Sequence, residues 1–465
     1  MSARSNYPLR AERVYGTHPR RCRSVDVLIV GSAVGLSSAR YLFDRHRSRS
    51  STPLRIAVAD SGPMDLLTHF AHTNHPRGPH MHPWTPHFGG RLGFWGMSTP
   101  RPPEDILRRW PYDYAELLNR FNQVEAAIGV LDPVPKSGGN LELHLLSQLR
   151  DAFPGSRVGT APLAIDKDGG RYSSLDEIPD LVRDGVRLLP QFHCTRLVKE
   201  GVRVAAVQGR WVDGRTHTLR PRVVVLATGV EPSLPLVRQV ADGPLALDAA
   251  DHIRIDLHGK LPARTFGRWT TDESGVAILI MDCRSREFGV PYHLEIKAAP
   301  LDLWRRGYMQ SSDNLHGSDD PDTLYVQVQA VCAMHDRLPS GDLLRVQGPL
   351  PPVMSARDAA FHGEVIETMR AVAAAIGLPA PAFCLRPLLT NHHTYGAYRV
   401  GKAVSREFLF RGTDNLYVLP PTAFVDEDDD ANPTLKSLVL SRFAMDHIAE
   451  RFAAEVTDAA SVSAT

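Results

Sequence analysis

The stretch VDVLIVGSAVGLSSAR, residues 25–40, constrains this chain more than any other. Apart from Asp26, Val25 to Val30 are apolar and mostly β-branched, the pattern of a short strand buried on both faces of a parallel sheet. Gly31 allows a tight turn. The small residues that follow allow a helix, over 35–46, that packs closely through Ala39, Tyr41 and Leu42. RIAVAD, residues 55–60, reads as a second buried strand that ends on an acid, Asp60. Strand, glycine turn, helix and strand make a β-α-β unit. Its first turn presents free helix N–H groups and the positive end of the helix dipole, which together suit a phosphate.

The same residues admit another reading. Arg20-Arg21 before the apolar run and Ser37-Ser38-Ala39 after it outline a twin-arginine export signal. Asp26 interrupts the core of such a signal, and the next segment continues as a β-α-β unit, so the strand is favoured.

A dinucleotide-binding turn usually reads G-x-G-x-x-G, with an acid at the end of the second strand that accepts from a ribose. Gly31 fits the turn, Gly35 suits helix–strand packing, and Asp60 fits the ribose role. After Ser32, however, Ala33 puts a methyl where a second glycine would let backbone approach a pyrophosphate. Gly35 also comes one residue early. These departures predict a cofactor held more loosely than by three glycines. VVVLATG, residues 223–229, is a further buried strand, and its Gly229 would let backbone pass close to a cofactor.

Composition excludes several classes. With 465 residues, two or three domains are expected. A net charge of +1 gives no bulk pull toward nucleic acid or an anionic membrane. Cys22, Cys194, Cys283, Cys332 and Cys384 are far apart, with no C-x-x-C pair, so neither a zinc site nor a disulfide framework is indicated and a reduced, cytoplasmic protein is expected. No apolar run reaches the ~20 residues of a membrane helix. His69, His72, His75, His80, His82 and His87 cluster in a Pro-rich stretch. They show no firm ligand spacing, so a loop is expected there rather than a metal site.

Further along, residues 104–129 read as a helix with Trp110, Tyr114, Leu117, Leu118 and Phe121 on a core stripe, and 141–152 as another. Residues 202–229 read as strand, turn, strand. Residues 250–350 alternate strand-like runs such as VAILIMD, PYHLEIKA and LYVQVQAVCAM with polar turns, which suggests an antiparallel sheet. Residues 356–377 and 433–454 read as helices, with a strand at 415–420 between them.

Three segments, in this order, carry a family resemblance: GGRLGFWGMSTPRP (89–102), HHTYGAYRVG (392–401) and GTDNLYVLPPTAFVDEDDDANPTLKSLVL (412–440). They resemble the glucose-methanol-choline (GMC) oxidoreductases, FAD enzymes that oxidise alcohols, and most of all the pyranose-oxidase-like branch. The likeness is thin between about 140 and 380.

The resemblance implies a mixed α/β and α+β fold: a Rossmann-like FAD-binding domain interleaved with a substrate-binding domain on an antiparallel sheet, as in p-hydroxybenzoate-hydroxylase-like flavoproteins. The implied division is a loose tail at 1–24, FAD-binding residues 25–250 with substrate-domain insertions around 104–200, a substrate domain at 251–385, FAD-binding residues 386–455 and a tail at 456–465. His393 aligns with the family's active-site histidine, a general base for a substrate hydroxyl, with His392 as its rival. Asn432 aligns with the second member of that pair. Pro433 and Thr434 would open a last helix whose N-terminus points at the flavin.

Gly90, Trp95 and Gly96 join the implied cofactor contacts, and His392, Tyr395 and Asp428 the implied substrate contacts. Phe94 stands where the branch carries a histidine bonded to FAD, so non-covalent FAD is expected, and Tyr398 stands where it often has His. Asp426 to Asp430 form an acidic run absent from the family pattern. It reads as a solvated loop, as a feature favouring a cationic substrate such as an amino sugar, or as a cation site.

The expected reaction is oxidation of a sugar-like hydroxyl to a carbonyl, with dioxygen or another acceptor taking the electrons. Epimerase-like chemistry, a catalytically silent scaffold and an NAD-dependent dehydrogenase are the alternatives, the last leaving 89–102 and 392–440 without a role. The resemblance indicates neither the oligomeric state nor the carbon oxidised.

Overall fold

Five short apolar segments form one parallel sheet. β1 (Val27–Val30) and β2 (Ile56–Ala59) are buried at every position, and helix α1 (Ala33–Arg47) crosses between them. β3 (Arg187–Leu189) lies beyond β2, while β4 (Val223–Leu226) and β5 (Leu416–Val418) lie beyond β1. The order is β5-β4-β1-β2-β3, every neighbouring pair parallel. The chain therefore builds outward from β1 in one direction, then returns to build in the other, and the reversal falls between β1 and β4. These are features of a computed structural model that describes residues 25–64, 88–93, 98–131, 140–164, 172–243, 252–262, 277–300, 323–333, 355–378, 388–389, 395–424 and 432–463.

Between β3 and β4 the chain folds into an antiparallel meander of His193–Glu200, Arg203–Arg210 and Thr216–Leu219. Its first and last strands escape a reading of apolar runs because most of their side chains are polar and at least partly exposed. The helix expected over 104–129 is two helices, Glu104–Leu107 and Tyr114–Ile128. Pro111 cannot supply a helix N–H. Asp113 then caps the second helix by accepting from the Glu116 N–H, and Gly129, at φ +69°, ends it. Trp110, Leu117 and Phe121 are buried in the first core, as their spacing predicts.

A second core is built on a six-stranded antiparallel sheet. Its order is Leu388–Leu389, His252–Pro262, Thr323–Ala333, Pro291–Pro300, Ala277–Arg284, Arg157–Thr160. One face, with Leu257, Leu279, Leu294, Ile296, Val326 and Val328, packs under helices Asn140–Ala152 and Ala356–Ala375. The antiparallel sheet expected from residues 250–350 is thus present, with three further strands: His252–Pro262, Arg157–Thr160 from much earlier in the chain, and Leu388–Leu389 from later in it.

The last helix, Pro433–Ser463, returns to the first core and lies along α1. It runs past 454, so most of the expected tail continues the helix. Asp446 on this helix pairs with Arg45 and Arg120 and accepts from the Tyr41 hydroxyl. No helix among the described residues is long and apolar enough to cross a membrane.

Gly31 stands where the backbone of two strands meets most closely around the first turn. Its φ is +99°, and a Cβ there would lie 2.4 Å from Ala227 O and 2.8 Å from Thr228 N. Both are backbone atoms at the end of β4, which the ladder fixes in place, so they cannot give way. Gly31→Ala should destabilise the protein by about 3 kcal/mol. Gly155→Ala, with no neighbour within 4 Å of its added Cβ, should stay within about 0.5 kcal/mol. Equal urea midpoints for the two variants would refute this.

Candidate cofactor and substrate site

In an open α/β sheet the crevice outside the carboxyl ends of the strands, at the point where strand order reverses, is the natural ligand site. Here the reversal is flanked by the turn after β1 and the loop after β4, so Gly31 and Gly229 face each other across it by topology. Helix α1 begins directly after the turn, and Leu36 is the first residue whose N–H closes an intrahelical bond, to Ser32 O at 3.0 Å. The N–H groups before it belong to the open first turn that suits an anion. Gly229 has φ +79°, and no described atom lies within 4 Å of where its Cβ would be.

The shortened motif is accommodated by reassigning its parts. Gly35 does the work of the third glycine: a Cβ there would meet Ile29 Cγ2 at 3.0 Å and also touch Val58 and Ala227, so the missing side chain lets α1 settle on the sheet. Leu36, one position later, is fully buried core. Ala33 faces Gly90, whose added Cβ would lie 2.7 Å from Ala33 Cβ. The Ala33 methyl occupies space that Gly90 leaves, so helix start and GG loop are matched to each other. Ser32 joins them, its Oγ accepting from the Gly89 N–H at 2.7 Å and donating to Asp60 Oδ2 at 2.5 Å. Asp60 Oδ2 also accepts from Ser32 N, and Oδ1 from Gly62 N. Desolvation beneath the turn pushes the Asp60 carboxyl above its ordinary range, against the pull of these hydrogen bonds. Asp60 thus organises the turn itself, its two oxygens taken up by Ser32, Gly62 and Ser61. Open space beside Gly229 and the open helix turn fit the diphosphate of a dinucleotide such as FAD.

The closing helix brings its first turn to this end of the sheet. Asn432 precedes Pro433, a residue suited to a first helical turn because it lacks an N–H. Asn432 Nδ2 donates to Glu295 Oε1 at 3.0 Å, across to the antiparallel sheet. Glu295 lies on the face of that sheet turned away from the second core. That face is polar yet buried: His293, Glu295, Gln327 and Gln329 are all below 9% exposed. Lys297 Nζ sits 2.6 Å from Glu295 Oε2 and donates to Gln329 Oε1 at 2.7 Å. Gln327 donates to Asp256. Burial alone would raise the Glu295 carboxyl, but the charges of Lys297 and His293 and the Lys297 hydrogen bond outweigh it and hold Glu295 far below the usual carboxylate range. Buried polar groups of this density need hydrogen-bond partners, and a wall of such groups suits a polar ligand.

The structure therefore gathers Gly31, Ser32, Ala33, Gly35, Asp60 and Gly90 into one cradle. Gly229 lies across the switch point, and Asn432, Pro433 and Thr434 stand at the start of the closing helix. Tyr395, expected at the substrate, is a buried side chain packed in the first core, and Tyr398 packs edge-on against Phe410 in the same core. The backbone of this segment is tied to the strand before the acidic run, Gly396 N–H to Pro421 O and Tyr398 N–H to Thr422 O. His392, His393, Asp428 and the rest of the acidic run, Phe94, Trp95, Gly96 and the histidine-rich stretch lie outside the described residues.

Sequence reading missed the wall of His293, Glu295, Lys297 and Gln329. The signal was present in PYHLEIKA and LYVQVQAVCAM: polar residues at every second position of strands whose other positions are core, in segments with no reason to face solvent.

No sequence-family profile matches the chain, and no curated protein matches it by sequence. Its fold, however, is known. By fold, the chain is similar to pyridoxine 4-oxidase from Mesorbium loti. The two superpose with a TM-score of 0.61 over 92% of this chain and 99% of that one, at 15% sequence identity. The similarity to pyridoxine 4-oxidase thus spans both cores rather than the β-α-β unit alone.

Two outcomes test the site. Gly90→Ala should cost about 2 kcal/mol, from its φ of +52° and the clash with Ala33. Adding Ala33→Gly should recover part of that cost, whereas additive losses would contradict the matched pair. Glu295, with its carboxyl lowered in the folded protein, contributes stability present above 4.5, its unfolded value, and lost as pH falls toward the folded value. The stability gap between native protein and Glu295→Gln, read by urea melts, should therefore be largest near neutrality and narrow below about pH 4.5.

Proposed function

We propose that this chain is an FAD-dependent alcohol oxidoreductase of the GMC type. The observation that carries the reading is the convergence at one strand-order reversal of a glycine turn with its placed acid, an open glycine after β4, and the Asn432 helix start facing a buried polar wall. Similarity of fold to pyridoxine 4-oxidase over nearly the whole chain supports it, as do the segments at 89–102 and 392–440. In this reading residues 25–250 and 386–455 hold the cofactor, and 251–385 with part of 104–200 form the substrate domain.

The cradle of Gly31 to Gly35, Asp60 and Gly229 would hold FAD without a covalent bond, with Gly90, Trp95 and Gly96 beside it and Phe94 unable to attach it. Bound FAD supplies the acceptor for a hydride. His393 takes the proton from the substrate hydroxyl, and a neutral imidazole suits that task because its ordinary pKa lies near working pH. Asn432 hydrogen-bonds the substrate oxygen and fixes its direction, while His392 and Asp428 contact the rest of the substrate. The N-terminus of the closing helix, opened by Pro433 and Thr434, favours negative charge nearby.

The substrate we propose is a hydroxyl of a sugar, glycoside or amino sugar, with dioxygen or another small acceptor reoxidising the cofactor in the cytoplasm. The fold neighbour favours a second class, a hydroxymethyl group on a heteroaromatic ring such as that of pyridoxine.

Purified protein should be yellow, and acid precipitation should release FAD into the supernatant. Under anaerobic conditions, a panel of sugars, amino sugars and pyridoxine-like alcohols should bleach the flavin band with one class. His393→Ala should keep the colour and slow bleaching by about a thousandfold. A colourless protein that takes up no added FAD would overturn the proposal in favour of a scaffold role.

A further inference from the structure

Asn432 would be an ambiguous donor or acceptor on its own, since a carboxamide can present either its nitrogen or its oxygen. Glu295 removes that ambiguity. Its carboxyl is buried and ionised, with Lys297 Nζ 2.6 Å from Oε2, and an ionised carboxylate can only accept. Asn432 must therefore turn Nδ2 toward Glu295 Oε1, as the 3.0 Å contact shows. That choice fixes the directions of the second N–H and of Oδ1. Lys297 is itself held by Gln329 Oε1, so the pair cannot swing apart without losing a buried hydrogen bond. Among the described residues, Lys297 and His293 of its own strand are the charged groups acting most strongly on Glu295, and Asp256, which accepts from Gln327, shares the same polar wall. Gln329 stands opposite it on the next strand, Ser98 lies beside it, and Asn432 reaches it from the start of the closing helix.

We propose that Glu295, kept ionised by Lys297, is a positioning residue that locks the Asn432 amide in one orientation, leaving its second Nδ2–H as the donor offered to the substrate oxygen. This rests on the reading of Asn432 as a substrate-orienting residue. Its chemical content is a strict polarity: the Glu295–Asn432 pair stabilises a substrate oxygen as it loses its proton, and a protonated Glu295 would allow the amide to flip and withdraw that donor.

The experiment uses Glu295→Gln, Lys297→Met and Asn432→Ala in the full chain, each first checked for FAD content. A glutamine at 295 can pair with either end of the amide, so Glu295→Gln should lower kcat by about a hundredfold while KM moves less than threefold, the pattern of lost orientation rather than lost binding. Lys297→Met removes the counter-charge, so an acid limb absent from the native kcat/KM profile should enter the range between about pH 5 and 8. Should Lys297→Met fail to fold, Lys297→Gln serves, with a smaller upward displacement of the same limb.

An activity-independent arm is a thermal-unfolding cycle of Glu295→Gln, Asn432→Ala and the double variant. The two single shifts in Tm should exceed the double shift when summed, because both break one bond. Additive Tm shifts, a kcat within twofold of native in Glu295→Gln, or an unchanged pH profile in the Lys297 variants would each overturn the positioning role. A colourless protein with a coupled unfolding cycle would instead sink the flavoenzyme reading, and with it the role of the pair toward substrate, while leaving the bond itself in place.

Discussion

The contact between Gly31 and the backbone of Ala227 and Thr228 is the constraint on which the rest of the structure depends. β1 donates and accepts on both sides, Gly31 N–H to Ala59 O and Val30 O from Ala227 N–H, so the turn after β1 is clasped by β2 and β4 together. Only a residue without a side chain can stand there. Because β1 and β4 lie on either side of the strand-order reversal, the same contact sets the width of the crevice above them. The helix start, the acid under it and the loop through Gly89 and Gly90 then follow from short hydrogen bonds through a single serine, Ser32.

A second organising element is the way two cores share one site. The parallel-sheet core supplies the cradle, and the antiparallel sheet supplies a buried polar face; the closing helix meets both. Its apolar side packs along α1, Asp446 is gripped by Arg45, Arg120 and Tyr41, and Asn432, the residue just before it, reaches Glu295. A pair of charges as buried as Glu295 and Lys297 stabilises the fold weakly for the desolvation it costs. Its value lies in direction: it gives a helix terminus a defined partner on the opposite sheet.

Much of this was legible from local pattern. β1, α1, β2 and β4 announce themselves by apolar runs and small residues, since strands buried on both faces carry no polar interruption. The helices at 140–152 and 356–375 were read within about two residues, because their cores repeat at helical spacing. The meander edges Thr216–Leu219 and His193–Glu200 were not, because partly exposed strands lack that contrast. The break at Pro111 was visible in the sequence and was overridden by the apolar stripe around it. The role of Ala33 could not be read locally at all: its methyl makes sense only against Gly90, 57 positions downstream. Tyr395, next to the expected active-site histidines, packs its ring in the first core, a burial that its neighbours in sequence do not announce.

The closing helix also bears on how the protein is made. Tyr41 and Asp446 are 405 residues apart, and β5, the edge of the parallel sheet, begins only at Leu416. Most of the sheet and the glycine turn can take shape while the chain is still being synthesised, but the crevice lacks one edge strand and the helix that carries Asn432 until the last tenth of the sequence has emerged. Contacts of such long range form late and slowly. Until the closing helix has formed, the apolar flank of α1 that it covers stays exposed.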